Sequence, residues 1–310
     1  MKIVFMGTPD FAVTVLNALL DSPHEVTAVV TQPDKQKGRG KEVQFSPVKE
    51  CALAHEIPVF QPVRIKAEEA VKELAQFEAD IFVVAAFGQI LSKEILEMPK
   101  YGCINVHASL LPKYRGAAPI QWAILNGETE SGVTIMQMNE GLDTGDMILK
   151  TVVPITEEDT GDSLHDKLAE AGATLCTDVL SIIEHGEVHA TVQDSAEATY
   201  AKMLTKEMGR IRFSKSAVEI ERLVRGLNSW PSAYTYLNGK SFKIWKARIC
   251  EGTSTGAPGQ VAAVNKQSIV VNTGDGLLEL LEVQLEGKKR MDVASFLLGY
   301  PITTETTFED

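Results

Sequence analysis

Cysteine is scarce. The 310 residues hold only Cys51, Cys103, Cys176 and Cys250, scattered along the chain with no histidines at ligand spacing beside them. That excludes a disulfide framework and a structural zinc site, so no metal is expected. Long apolar runs are absent too, and Met1-Lys2-Ile3-Val4-Phe5 is too short for a secretion signal. A reduced, cytoplasmic protein without a membrane partner is therefore expected. Basic charge is short overall, and a net charge of -12 argues against a generic polyanion binder. The shortage is uneven: from Arg210 onward 13 Lys/Arg face 11 Asp/Glu, about +2, whereas residues 1–209 carry -14. Arg210 to Cys250 holds nine basic residues against Glu219 and Glu221. The glycine-rich turn of nucleotide binders is missing as well. After the apolar strand Ile3 to Met6 stands one glycine, Gly7, followed by Thr8-Pro9-Asp10, so dinucleotide binding is disfavoured.

What is present is a regular alternation. At 310 residues about two domains are expected. Apolar strands at Ile3–Met6, Val26–Val30, Ile81–Ala86 and Gly132–Met138 alternate with helical stretches at Phe11–Leu20, Ala67–Phe77 and Pro119–Leu125. This predicts an α/β fold with a doubly wound, Rossmann-like, mostly parallel sheet. Thr8 is placed to cap the first helix and Pro9 to open it. Leu164, Leu168, Ala171, Leu175, Val179 and Ile182 recur at helical spacing, with Gly186 as a C-cap. The polar stretch Gln193 to Lys206 suits a linker. Beyond it, Ser216 and Glu219 stand at capping-box spacing, Asn238-Gly239 marks a hairpin, and short strands follow between Gly/Pro turns. These predict a second, smaller, OB-like β-barrel. The expected boundaries are 1–189, a linker over 190–206, and 207–310.

The chemistry gathers in Asn105-Val106-His107 at a strand exit. Side chains alternate along a strand, so Asn105 and His107 share one face while Ile104 and Val106 pack the other. An amide can donate to a developing oxyanion, and an imidazole can also exchange a proton near neutral pH. The plainer alternative is a satisfied core histidine beside a turn-forming asparagine. Asp143, within Gly141-Leu142-Asp143-Thr144-Gly145, presents a carboxylate from a tight turn, which is also the commonest structural use of such a residue. Neighbouring strands of a doubly wound sheet exit on one side, which brings Asn105, His107 and Asp143 into one crevice. The apolar loop Phe87-Gly88-Gln89-Ile90-Leu91 suits either the wall of a flat-heterocycle site or ordinary packing. The loop Asp34 to Lys41, basic at four positions, reads as a solvated or a functional loop.

Several longer stretches carry a resemblance. Asn105-Val106-His107-Ala108-Ser109-Leu110-Leu111-Pro112, Arg115-Gly116-Ala117-Ala118-Pro119-Ile120-Gln121 and Gly141-Leu142-Asp143-Thr144-Gly145 resemble the signature of folate-dependent formyltransferases. Met6-Gly7-Thr8-Pro9-Asp10-Phe11-Ala12, Gly38-Arg39-Gly40-Lys41 and Tyr200-Ala201-Lys202-Met203-Leu204-Thr205-Lys206 narrow it to the branch acting on initiator methionyl-tRNA. The resemblance implies formyl transfer from the co-substrate 10-formyltetrahydrofolate to the α-amino group of methionine on that tRNA. It implies Asn105, His107 and Asp143 as catalytic residues. Ser109, Leu110, Leu111 and Pro112 would contact the folate, with Phe87, Gly88, Gln89, Leu91, Gly141 and Leu142 around its pterin. Arg39, flanked by Lys37 and Lys41, would inspect the end of the acceptor stem, and Lys243, Lys246 and Arg248 would track tRNA phosphates from the barrel.

The chemistry agrees with that implication. A free α-amino group has a pKa of about 8, so part of it is already nucleophilic at cellular pH and no covalent enzyme nucleophile is required. A monomer is expected. Alternatives are a formyltransferase for an amino-sugar nucleotide, and a non-catalytic tRNA-binding relative.

Overall fold

The structure, a computed structural model, describes residues 1–37 and 42–309. It forms two compact units: Met1–Pro119, Glu130–Pro154 and His165–Ala201 make the first, and Ile120–Thr129, Ile155–Leu164 and Lys202–Asp310 the second.

The chain opens with β1 (Lys2–Gly7), α1 (Asp10–Leu20), β2 (Glu25–Val30), the short pair β3 (Lys35–Lys37) and β4 (Glu42–Gln44), α2 (Pro47–Ala54), β5 (Val59–Phe60) and α3 (Glu68–Leu74). It continues through β6 (Ile81–Ala85), α4 (Lys93–Leu96), β7 (Cys103–His107), β8 (Arg115–Gly116), α5 (Pro119–Leu125), β9 (Glu130–Gln137), β10 (Met147–Pro154), α6 (Gly161–His185) and β11 (Tyr200–Ala201). The main sheet has seven strands in the order β10-β9-β7-β6-β1-β2-β5. From β5 to β7 the pairing is parallel, and the central strands carry the apolar runs Ile3–Met6 of β1 and Ile81–Ala85 of β6 because helices cover both faces. Val4, Met6 and Val84 pack with Val71 and Leu74 of α3 and Ile95 of α4, while α1 packs on β1, β2 and β6. Gly7 is required by closeness: a Cβ there would lie 2.6 Å from that of Ala12 and 2.9 Å from the carbonyl of Ala85.

Two features differ from expectation. Thr8 does not cap α1, whose N-cap position is Pro9 and carries no side-chain bond. Its hydroxyl instead donates to the Phe87 carbonyl at 3.2 Å and accepts the Gln32 N–H at 3.4 Å, tying the loop after β6 to the end of β1. The second is the direction of β9, which runs antiparallel to β7 with His107 opposite Thr134 and Ile104 opposite Gln137. After β7 the chain makes its excursion through β8 and α5 and returns at the end it left. It has no need to cross back, so β9 exits beside the start of β7.

The second unit contains α7 (Ala217–Gly226), β12 (Ala233–Leu237), β13 (Lys240–Cys250), β14 (Val261–Val264), β15 (Ile269–Asn272), β16 (Leu277–Leu285), β17 (Met291–Asp292) and α8 (Val293–Gly299). The expected capping box is present, with Ser216 accepting from the Glu219 N–H and Glu219 reaching back to Ser216. Asn238 and Gly239, at φ 51° and 73°, make the tight turn between β12 and β13. The antiparallel sheet runs β12-β13-β16-β15-β14, with β17 on β16. Its outer strands are bridged by the C-terminal stretch, where the Val261 N–H donates to Thr306 and the Glu309 N–H to Tyr236, a barrel-like closure. Phe213, Phe242, Phe296 and Phe308 fill the interior.

Candidate active site

Strand β7 places Asn105 and His107 on one face, Asn105 half-buried and His107 buried. The His107 Nε2 lies 2.9 Å from the Tyr114 carbonyl. A carbonyl only accepts, so Nε2 carries a hydrogen and Nδ1 is the ring atom left for other partners. Nδ1 faces Asp143 Oδ1 at 3.8 Å. The same carboxylate oxygen is 3.5 Å from Asn105 Nδ2. Both separations are long for hydrogen bonds, so these three groups face one another without being closed on one another.

Asp143 reaches this place by an unexpected route. Since β9 exits at the far end of β7, a shared strand exit does not gather the three residues. The turn after β9 instead folds back on itself. Asn139 Oδ1 accepts from the Gly141 N–H at 3.0 Å and the Thr144 hydroxyl at 2.7 Å. Gly145 passes so near the Gln137 carbonyl that a Cβ would sit 1.7 Å from it, which no side chain allows. Met147 then pairs with Met136, and Met136 lies opposite Asn105. Asp143 itself adopts φ 52°, a left-handed conformation unusual for a residue with a side chain. Its Oδ2 accepts the Gly116 N–H at 2.8 Å, the firm anchor of the carboxylate.

The segment Ser109 to Pro112 is a tight turn held from within. The Ser109 hydroxyl donates to the Lys113 carbonyl at 2.7 Å, and the Thr134 hydroxyl links the Ser109 carbonyl to the Leu111 N–H. Leu111 is buried with Met136 and Met147, Leu110 lies against Gly132, and Pro112 is half-buried. In the loop after β6, Phe87 and Leu91 point into the core. Gln89 bonds the Ile65 N–H and the Pro62 carbonyl. Gly88 is exposed at φ 81°, so this loop offers its backbone and Ile90, which is 60% exposed. Gly141 is exposed, as is Leu142 at 57%. The apolar side chains free to meet a ligand are thus Ile90 and Leu142.

Of the basic positions, Arg39 and Lys41 lie outside the described residues, and Lys37 ends β3 opposite Glu42. In the second unit Lys243 lies over the Trp245 ring and donates to the Ser232 hydroxyl at 3.3 Å. Arg248 is ion-paired with Glu279, while Lys246 is exposed. Sequence reasoning missed the Tyr114 carbonyl, the Gly116 N–H and Gln193. The first two are backbone groups, invisible to residue type, and Gln193 lies 50 positions from the turn it serves.

Cys103, next but one to Asn105, is no nucleophile, because burial pushes its thiol up to about 12. Among the described residues no group of three His, Cys, Asp or Glu side chains is placed to hold a metal ion, and no helix is long and apolar enough to cross a membrane.

Comparison with known proteins adds the following. Residues 1–180 match the formyl transferase family and residues 203–301 the formyl transferase C-terminal domain. The chain is 58% identical to the methionyl-tRNA formyltransferase of Agathobacter rectalis over 96% of each chain, and 52% identical to that of Clostridioides difficile over 98% of each. Among solved structures it is similar in fold to WlaRD, a sugar 3N-formyl transferase crystallised with dTDP and 5-N-formyl-THF (TM-score 0.69, 23% identity, 93% of this chain and 99% of that one). It is also similar to HypX from Aquifex aeolicus in complex with tetrahydrofolic acid (TM-score 0.66, 19% identity, 96% of this chain and 47% of that one).

Proposed function

The chain belongs to the methionyl-tRNA formyltransferases, and from that premise we propose how it moves a formyl group from 10-formyltetrahydrofolate to the α-amino group of methionine on initiator tRNA. The observation that carries the assignment of residues is the convergence of Asn105 Nδ2 and His107 Nδ1 on Asp143 Oδ1, at 3.5 and 3.8 Å. The folate supplies an activated formyl carbon next to this trio. The donor set suits it: exposed Leu142 and Ile90 offer apolar surface for a flat ring, and the backbone of Gly88 and Gly141 allows close approach.

Each residue then has a task set by its partners. Asn105, only loosely engaged by Asp143, donates Nδ2–H to the formyl oxygen as negative charge builds there. His107 keeps Nε2–H on the Tyr114 carbonyl, which fixes the ring and leaves Nδ1 to accept or release a proton. Asp143, held at Oδ2 by Gly116, turns Oδ1 toward the proton shed by the amine and stabilises His107 when that ring is charged. The new bond from the amine to the formyl carbon replaces the bond from that carbon to the folate nitrogen, the proton shed by the amine is passed by Asp143 and His107 to the departing nitrogen, and the enzyme forms no covalent bond to the formyl group. For the tRNA, Arg39 with Lys37 and Lys41 addresses the acceptor end, and Lys243 and the exposed Lys246 address phosphates, while Arg248 is committed to its ion pair with Glu279.

The test is an assay of the purified chain with formyl-folate and three acceptors: charged initiator tRNA, charged elongator methionyl-tRNA and an amino-sugar nucleotide. N-Formylmethionine on the initiator alone is expected. Preference for the amino sugar, or tRNA binding without consumption of formyl-folate, overturns the reading.

A further inference from the structure

We infer that Gln193 is a positioning residue, a strut that sets the Asp143 turn over Asn105 and His107; this rests on the catalytic role of Asp143 argued above. Gln193 is buried, and its one amide bonds at every valence. Oε1 accepts two hydrogens from Arg115, from Nε at 3.0 Å and from Nη2 at 2.8 Å. Nε2 donates both of its own, to the carbonyls of Asp143 at 2.9 Å and Gly145 at 2.7 Å. Those carbonyls belong to the strained residue of the turn and to the glycine that passes the Gln137 carbonyl. A left-handed non-glycine residue persists only where its surroundings hold it.

Arg115 explains why the strut is rigid. Arg115 is 2% exposed, and its Nε and Nη2 both donate to the Gln193 amide oxygen rather than to a carboxylate. A buried cation must use its hydrogen-bond donors well, so Arg115 fixes the Gln193 amide, and hence which way its hydrogens point. The next residue, Gly116, holds the Asp143 carboxylate. Residues 115–116 therefore grip Asp143 twice, at the side chain directly and at the backbone through Gln193. Pairing of β8 with β11 and the bond from the Tyr114 N–H to the Thr199 hydroxyl lock this arrangement in place. A stretch whose polar composition suits a linker is thereby part of the first unit.

The substitution Gln193→Glu separates the two ends of the strut. A carboxylate still accepts from Arg115, now as an ion pair, but it has no hydrogens for the carbonyls of Asp143 and Gly145. The expected result is a folded enzyme with a thermal midpoint near that of the wild type, a kcat at least tenfold lower and an unchanged KM for methionyl-tRNA. Added to Asp143→Asn, it should lower kcat by less than a further twofold, since the residue it positions is already disabled. Gln193→Met, uncharged and of similar length, is the second variant. Wild-type kcat in Gln193→Glu, a full additional loss on top of Asp143→Asn, or failure of both variants to fold each overturns the inference. If Asp143→Asn itself keeps the wild-type kcat, the catalytic reading fails first.

Discussion

Asp143 in the first unit and Glu279 in the second are both shielded carboxylates facing nitrogen, yet they are built to opposite ends. Glu279 accepts directly from Arg248, and that hydrogen bond holds its carboxyl below the usual carboxylate range. Its neighbour Glu282 takes two N–H bonds from Arg290, at 2.5 and 2.7 Å. Glu219 accepts from Lys215, from the Ser216 N–H and from the Ser216 hydroxyl, and is drawn down to about 2, chiefly by Lys215. Asp143 has one firm bond, from Gly116, and turns its other oxygen to partners 3.5 and 3.8 Å away. A carboxylate saturated with donors stabilises a fold. One left short of them has room for a proton in transit.

That contrast is broken or sharpened by four tests, in descending size of effect. Asn105→Ala should lower kcat about 10²-fold, the cost of one lost oxyanion donor of about 3 kcal/mol, with tRNA affinity unchanged. An unaltered kcat would place Asn105 among the saturated structural groups. Arg39→Ala extends the comparison to the loop Asp34 to Lys41: kcat/KM for tRNA should fall roughly tenfold while KM for formyl-folate holds, as loss of one guanidinium contact implies. Equal losses on both substrates would remove the loop from tRNA inspection.

The third test divides the cations of β13. Lys246 is exposed and its cross-strand neighbour Glu282 already serves Arg290, so Lys246→Ala should reduce the salt slope of tRNA binding by about one and leave stability alone. Arg248→Ala strands the shielded Glu279 and should lower the melting midpoint more than it changes the slope. Reversal of that order would show Arg248 to be the phosphate contact. The smallest effect concerns Glu219. A carboxyl at about 2 in the folded chain, against about 4.3 unfolded, adds stability that is complete above the unfolded value and disappears as pH falls toward 2. The gap in melting midpoint between wild type and Glu219→Gln should hold above about pH 5 and close by pH 2. A gap unchanged at pH 2 would mean that the charge of Glu219 contributes nothing.

The alternating strands and helices of the first unit, the capping box at Ser216 and the hairpin at Asn238-Gly239 were legible because each depends on neighbours in sequence. Asn105 and His107 share a face for the same reason. Asp143 was named correctly as a turn carboxylate, but the turn's path was not legible, since the antiparallel course of β9 is decided by packing of distant segments. Phe87 and Leu91 read as ligand walls by residue type and Leu111 as a folate contact by resemblance, whereas burial turns all three to the core and leaves Ile90 and Leu142 outside. Periodicity cannot tell which of two adjacent apolar residues in an irregular loop faces inward.

The two-residue pairing of β8 with β11 has a practical corollary for anyone who cuts or grafts this enzyme. The recognisable first family segment stops at residue 180, but the groups that hold the Asp143 turn continue through Gln193 to Ala201. A fragment trimmed at the earlier border would keep Asn105, His107 and Asp143 and still be misaligned, and a chimera should place its seam after Ala201.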